Sequence, residues 1–157
     1  MNFRHPVWRA ILWGGLVAGT VDIGSACIIN LLSPVVILHA IASGLLGKPS
    51  FEGGLSTAML GLFLQWFMGL LIATIYVTAA LRLKWMHRDW RLTGVAYGVV
   101  IYFVMTYVVV PLSAFPIKRN PAAPFNWVGF AENLVAMILF GFIVAFFAKR
   151  YLPRRAA

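Results

Sequence analysis

The sequence predicts an all-α membrane protein: one domain of four transmembrane helices, with a short interfacial or re-entrant helix on the outer side between the first two. Three observations carry this. The 157-residue chain is 62% hydrophobic and only 11% charged, far from an ordinary soluble domain. It contains four apolar runs, each longer than the ~20 residues a helix needs to cross a bilayer. None of these runs alternates polar with apolar residues, and a helix, unlike a lone strand, satisfies its own backbone in lipid.

The first run, about 8–32, carries Asp22 well inside its apolar stretch. A carboxylate at that depth costs a few kcal/mol, so it is expected to face protein or a hydrated cavity. At about 100° per residue, Gly15, Ala18, Gly19, Ser25 and Ala26 lie within roughly 60° of Asp22. Small residues on that face allow another helix to approach closely. Thr20 and Gly24 fall on the opposite face. Gly24-Ser25-Ala26-Cys27 has the form of a lipoprotein cleavage site, but Asp22 would sit in the signal's apolar region, so an uncleaved helix is expected. Cys27 is the single cysteine, which excludes an intramolecular disulfide and any multi-cysteine metal site.

Residues 34–47 are apolar but too short to cross, hence the interfacial or re-entrant helix, with Pro34 at its start and Gly47 at its stop. The following KPSFEGG reads as a loop. The second and third runs cover about 55–81 and 92–112. The stretch 111–126, with four prolines, is expected to be irregular. The fourth run covers about 126–148. Each later run has its own four-residue stripe: Gly61, Gln65, Gly69 and Ala73; Gly94, Gly98, Tyr102 and Thr106; Gly129, Asn133, Met137, Gly141 and Ala145. Trp8, Trp85, Trp90 and Trp127 fall near run ends, where aromatic belts form.

The net charge of +9 would suggest nucleic acid in a soluble protein. Here the bases cluster just beyond the apolar runs, so topology and anionic lipid headgroups explain them and no nucleic-acid partner is expected. With the N-terminus inside, the inner segments hold ten bases (Arg4, Arg9, Arg82, Lys84, Arg88, Arg91, Lys149, Arg150, Arg154 and Arg155). The outer ones hold only Lys48, Lys118 and Arg119. Both termini are therefore expected in the cytoplasm.

Only four acids occur: Asp22, Glu52, Asp89 and Glu132. Counting ~1.5 Å per residue puts Asp22, Thr106, Tyr107, Glu132 and Asn133 at one level in the outer half, with Gln65 near the middle. The short helix above them contains His39, and the loop after it Lys48 and Glu52. These form the candidate polar cluster: Asp22, Gln65, Thr106, Tyr107, Glu132, Asn133, His39 and Glu52. Two carboxylates close together favour a shared proton, which suits proton-coupled transport and equally a buried structural pair. No cofactor is expected. A b-type haem usually takes two histidines inside spans, whereas His5 and His87 fall in cytoplasmic segments and His39 stands alone. Metal-ligand spacing, nucleotide loops, G-x-S-x-G and H-E-x-x-H are absent, so no enzyme activity is expected.

Two stretches, IASGLLGKPSFEGG at 41–54 and VVVPLSAFP at 108–116, resemble a group of short bacterial inner-membrane proteins of unknown function. A fainter likeness between Gln65 and Glu132, through YG, a P-L-S turn and FNW, is similar to the YagU-type family. The resemblance implies a bacterial inner-membrane location and no established activity. Members of the shorter group carry histidines in the second and fourth spans near the positions of Gln65 and Ala136, so histidine chemistry does not carry over. The expectation is a small non-enzymatic structural or accessory subunit, as a homo-oligomer or within a larger membrane complex. The alternative is a small-solute or proton-coupled transporter using the carboxylate cluster.

Overall fold

The structure is a computed structural model that describes residues 4–116 and 125–152. Among the described residues every regular element is helical. Helix α1 is Arg4–Asn30, α2 is Pro34–Leu46, α3 is Gly54–Arg82 and α4 is the short Lys84–Arg88. Helix α5 runs over Trp90–Leu112 and α6 over Trp127–Tyr151. Four helices, Pro6–Asn30, Gly54–Arg82, Trp90–Leu112 and Trp127–Tyr151, are long and apolar enough to cross a membrane.

Small residues decide how these helices meet. In α1 and α3, Gly15 lies against the backbone of Gly69 and Leu70, and a Cβ at Gly15 would come within 2.8 Å of the Gly69 carbonyl. In α5 and α6, Gly94 and Gly98 face Gly141, Met137 and Ile138 just as closely. Helix α1 also meets α6, where Gly14 packs on Val144 and Phe147. Backbones this near gain dispersion contacts over a long seam, the main attraction left between apolar helices in an apolar solvent. Gly61 seats the Leu38 carbonyl of α2 against α3.

The core lies in the half of the bundle where α1 begins and α6 finishes, here the near half. Ala10, Ile11, Ala73, Tyr76, Val77, Ala80, Val144, Ala145 and Ala148 are buried together there. In the far half α2 packs on α3, and the Gly44 carbonyl accepts a hydrogen bond from Ala114 N at 2.8 Å, so α2 reaches across to the end of α5.

Three stretches depart from the sequence reading. Residues 48–54 are not a plain loop: Lys48–Phe51 forms a 3-10 turn, and Gly54, at φ 61°, turns the chain into α3 in a conformation glycine adopts without strain. The basic connection after α3 contains α4. Pro111 does not open the second loop, because α5 continues through it to Leu112. A proline in a helix clashes with the carbonyl four residues back, and a wider turn relieves it. That turn is present: Met105–Val109 is π-helical, with Val110 N–H bonded to the Met105 carbonyl. Lys118 and Arg119, and with them the middle of that loop, lie outside the described residues.

Candidate functional site

The contact between α1 and α3 builds the one long-range polar pair among the described residues that involves a carboxylate. With Gly15 locked on Gly69, the residue one turn along α3 toward the far half is Gln65, directly opposite Gly19. Its Nε2 donates to Asp22 Oδ2 at 2.7 Å and lies 3.4 Å from the Gly19 carbonyl, so both amide hydrogens point at α1. Asp22 and Gln65 are both half-buried. The other Asp22 oxygen has no partner among the described residues, and it is not sealed in the interior. On the outer edge of the same seam, Trp66 Nε1 donates to Thr20 Oγ1 at 3.2 Å, while that hydroxyl donates to the Leu16 carbonyl.

The remaining candidates stand elsewhere. Glu132 and Asn133 are exposed on α6, and the Asn133 amide donates to Gly129 O of its own helix at 2.7 Å. The register explains this. From the Gly14–Val144 contact, the α6 residue level with Asp22 is Ala136, and Glu132 lies about 6 Å beyond it. No α6 residue before Ala136 is buried, and Phe130 carries the contact of its first two turns with α5. The far end of the α5–α6 seam is filled by rings instead: Tyr102 meets Phe130 edge-on at 5.4 Å, and Phe125 and Trp127 pack beside Phe130. Thr106 and Tyr107 fall in the π turn, Thr106 half-buried and Tyr107 exposed and stacked on Phe103. The expected single level of carboxylates, amide and hydroxyls therefore does not assemble.

His39 and Glu52 belong to a separate clasp that ties α2 to the start of α3. His39 Nε2 donates to the Gly54 carbonyl at 2.8 Å, Ser50 Oγ to the His39 carbonyl at 3.1 Å, and Thr57 Oγ1 to the Ser50 carbonyl at 2.9 Å. Glu52 is exposed at the end of the 3-10 turn. Among the described residues no three His, Cys, Asp or Glu side chains come together to hold a metal ion.

Sequence reasoning missed a second network, in the near half. Tyr97 donates to the Ile72 carbonyl at 2.7 Å, and Tyr76 lies 2.8 Å from Thr93 Oγ1. The Thr93 proton goes to the Trp90 carbonyl, so Tyr76 is the donor of that pair. The two tyrosine rings touch at 5.0 Å and bridge α3 to α5, which share no glycine seam. Tyr97 sits three residues beyond Gly94 and four beyond Thr93, a spacing that marks one helix face and was available in the sequence. Lys149 closes this end over the Trp90 ring at 4.7 Å.

No protein-family profile, curated protein or solved structure matches this chain. The functional reading therefore rests on its own residues.

Proposed function

We propose that this chain is a small integral protein of the bacterial inner membrane, with both termini in the cytoplasm, acting as a non-enzymatic structural or accessory subunit. The observation that carries the reading is the isolation of the Asp22–Gln65 pair. Coupled transport through a carboxylate site calls for several polar groups converging on one position, and Glu132, Asn133, His39 and Glu52 all stand away from it. What the far half offers instead is apolar surface: Phe63, Trp66 and Phe67 on α3, with Ile28 on α1, are exposed side chains that lipid or another helix would cover. The cytoplasmic placement of the ends rests on the ten-to-three distribution of bases, and the bacterial membrane on the resemblance of the two loop stretches.

The test is flux. The purified chain is reconstituted into liposomes holding a pH-reporting dye, and a pH gradient is imposed with and without a membrane potential. The proposal expects proton entry at the rate of protein-free liposomes, unchanged in Asp22→Asn. Proton entry above that rate that Asp22→Asn abolishes would establish the transporter and overturn the subunit.

A further inference from the structure

We infer that the exposed side of the Asp22–Gln65 pair is a docking site for a transmembrane helix of a different protein that carries one lysine or arginine at the depth of Asp22. This rests on the reading of the chain as a subunit and names the chemistry of its partner.

Gln65 turns both amide hydrogens toward Asp22 Oδ2 and the Gly19 carbonyl. Two acceptors then remain without a hydrogen bond among the described residues, Asp22 Oδ1 and Gln65 Oε1, and neither is sealed in the interior. A site made only of acceptors, one of them a carboxylate, recruits a donor. Asp22 lies about 20 Å along α1 from Arg9 and about 12 Å from Asn30, so in a bilayer that donor has to be supplied within the hydrocarbon. An unpaired carboxylate is costly there, and pairing with a cation on a neighbouring helix removes most of that cost.

Charge decides against a second copy as the occupant. Among the described residues every Lys and Arg lies at or beyond an end of the four long helices, so none is offered at the depth of Asp22. Two copies in the same orientation would oppose acceptor to acceptor. An inverted copy runs against the ten-to-three distribution of bases. The flank also suits a helix. On the face of α1 that carries Asp22, the next turn offers only small side chains, Ser25 and Ala26. Ser25 and Ala26 are half-buried, with the Ser25 hydroxyl turned back to its own Val21 carbonyl. A partner backbone can therefore come close without displacing a large side chain, and its cation can reach Asp22 Oδ1.

The experiment uses the full chain in bilayer nanodiscs with a synthetic probe: a leucine-rich single-span helix, donor-labelled, carrying one lysine level with Asp22. Two control helices have leucine in place of the lysine, or the lysine moved seven residues along. Association is read by energy transfer to an acceptor on the protein. The lysine helix is expected to bind about tenfold more tightly than either control, and Asp22→Asn to erase the preference while the helical circular-dichroism signal is retained. Equal binding of all three helices overturns the proposal, as does a preference that survives Asp22→Asn. An acceptor-labelled copy that displaces the lysine helix, and does so only with Asp22 present, identifies the occupant as a second copy and overturns it too. The flux measurement on liposomes is independent, so a failed docking site and a failed subunit reading give different results.

Discussion

Replacing Gly98 by alanine adds one methyl group where α5 and α6 are in backbone contact. An ideal Cβ there lies 2.6 Å from Ile138 Cα and 2.9 Å from the Met137 carbonyl carbon, against an ordinary contact of 3.4–4 Å. The helices must part by about 1 Å at this point, and rigid helices part along much of the seam. A gap of that size forfeits a quarter to a half of each contact's ~0.1–0.2 kcal/mol, so roughly thirty atom pairs lose about 1–3 kcal/mol. Overpacking of close-fitting interiors costs the same order. Gly24→Ala is the control, since a Cβ there meets nothing within 4 Å and alanine is the better helix former by up to ~1 kcal/mol. Reversible unfolding by sodium dodecyl sulfate in mixed micelles, followed by far-ultraviolet circular dichroism, should place Gly98→Ala below the wild type and Gly24→Ala at or above it. Equal transitions for the two variants would refute the seam.

Three further outcomes follow from the same geometry. Tyr97→Phe removes the hydroxyl that reaches the Ile72 carbonyl and should cost about 1 kcal/mol in the same unfolding assay. Asp22→Asn keeps an acceptor for Gln65 and should unfold within about 0.5 kcal/mol of the wild type, whereas Asp22→Leu leaves Gln65 only the long contact to Gly19 and should cost about 1 kcal/mol. In a Cys27→Ser background, cysteines placed at Asn2 or Ala157 should resist a membrane-impermeant maleimide applied to spheroplasts, and one at Lys48 should react.

The long helices were legible because length and apolarity leave a bilayer segment one way to satisfy its backbone. The glycine stripes were legible for a related reason: glycines four residues apart put bare backbone on one face, and Gly15, Gly69, Gly98 and Gly141 are where the backbones touch. Gln65 and Asp22 sit on two such stripes, which is why their contact could be anticipated among several alternatives. The level of Glu132 could not be read, because counting from Trp127 assumes that α6 packs over its whole length. Its first two turns instead meet α5 through the rings of Tyr102 and Phe130, and Glu132 is left exposed. The π turn before Pro111 was hidden too: sequence marks the missing N–H, while the way a helix absorbs it depends on the neighbours it must still reach. Tyr76, Thr93 and Tyr97 were passed over because their hydrogen bonds lie in the apolar core, where the rings alone account for their burial.

Among the described residues Asp22 has one side-chain partner, Gln65, and Glu132 does not share its site. Double-mutant cycles measure this directly. Unfolding free energies are taken for Asp22→Ala, Gln65→Ala and Glu132→Ala, singly and in the two pairs that contain Asp22. The account gives a favourable coupling of about 1 kcal/mol for Asp22 with Gln65, within the range of interhelical hydrogen bonds in membranes, and additivity within about 0.3–0.5 kcal/mol for Asp22 with Glu132. A coupling of Asp22 to Glu132 as large as that to Gln65 would restore the two-carboxylate site and contradict it.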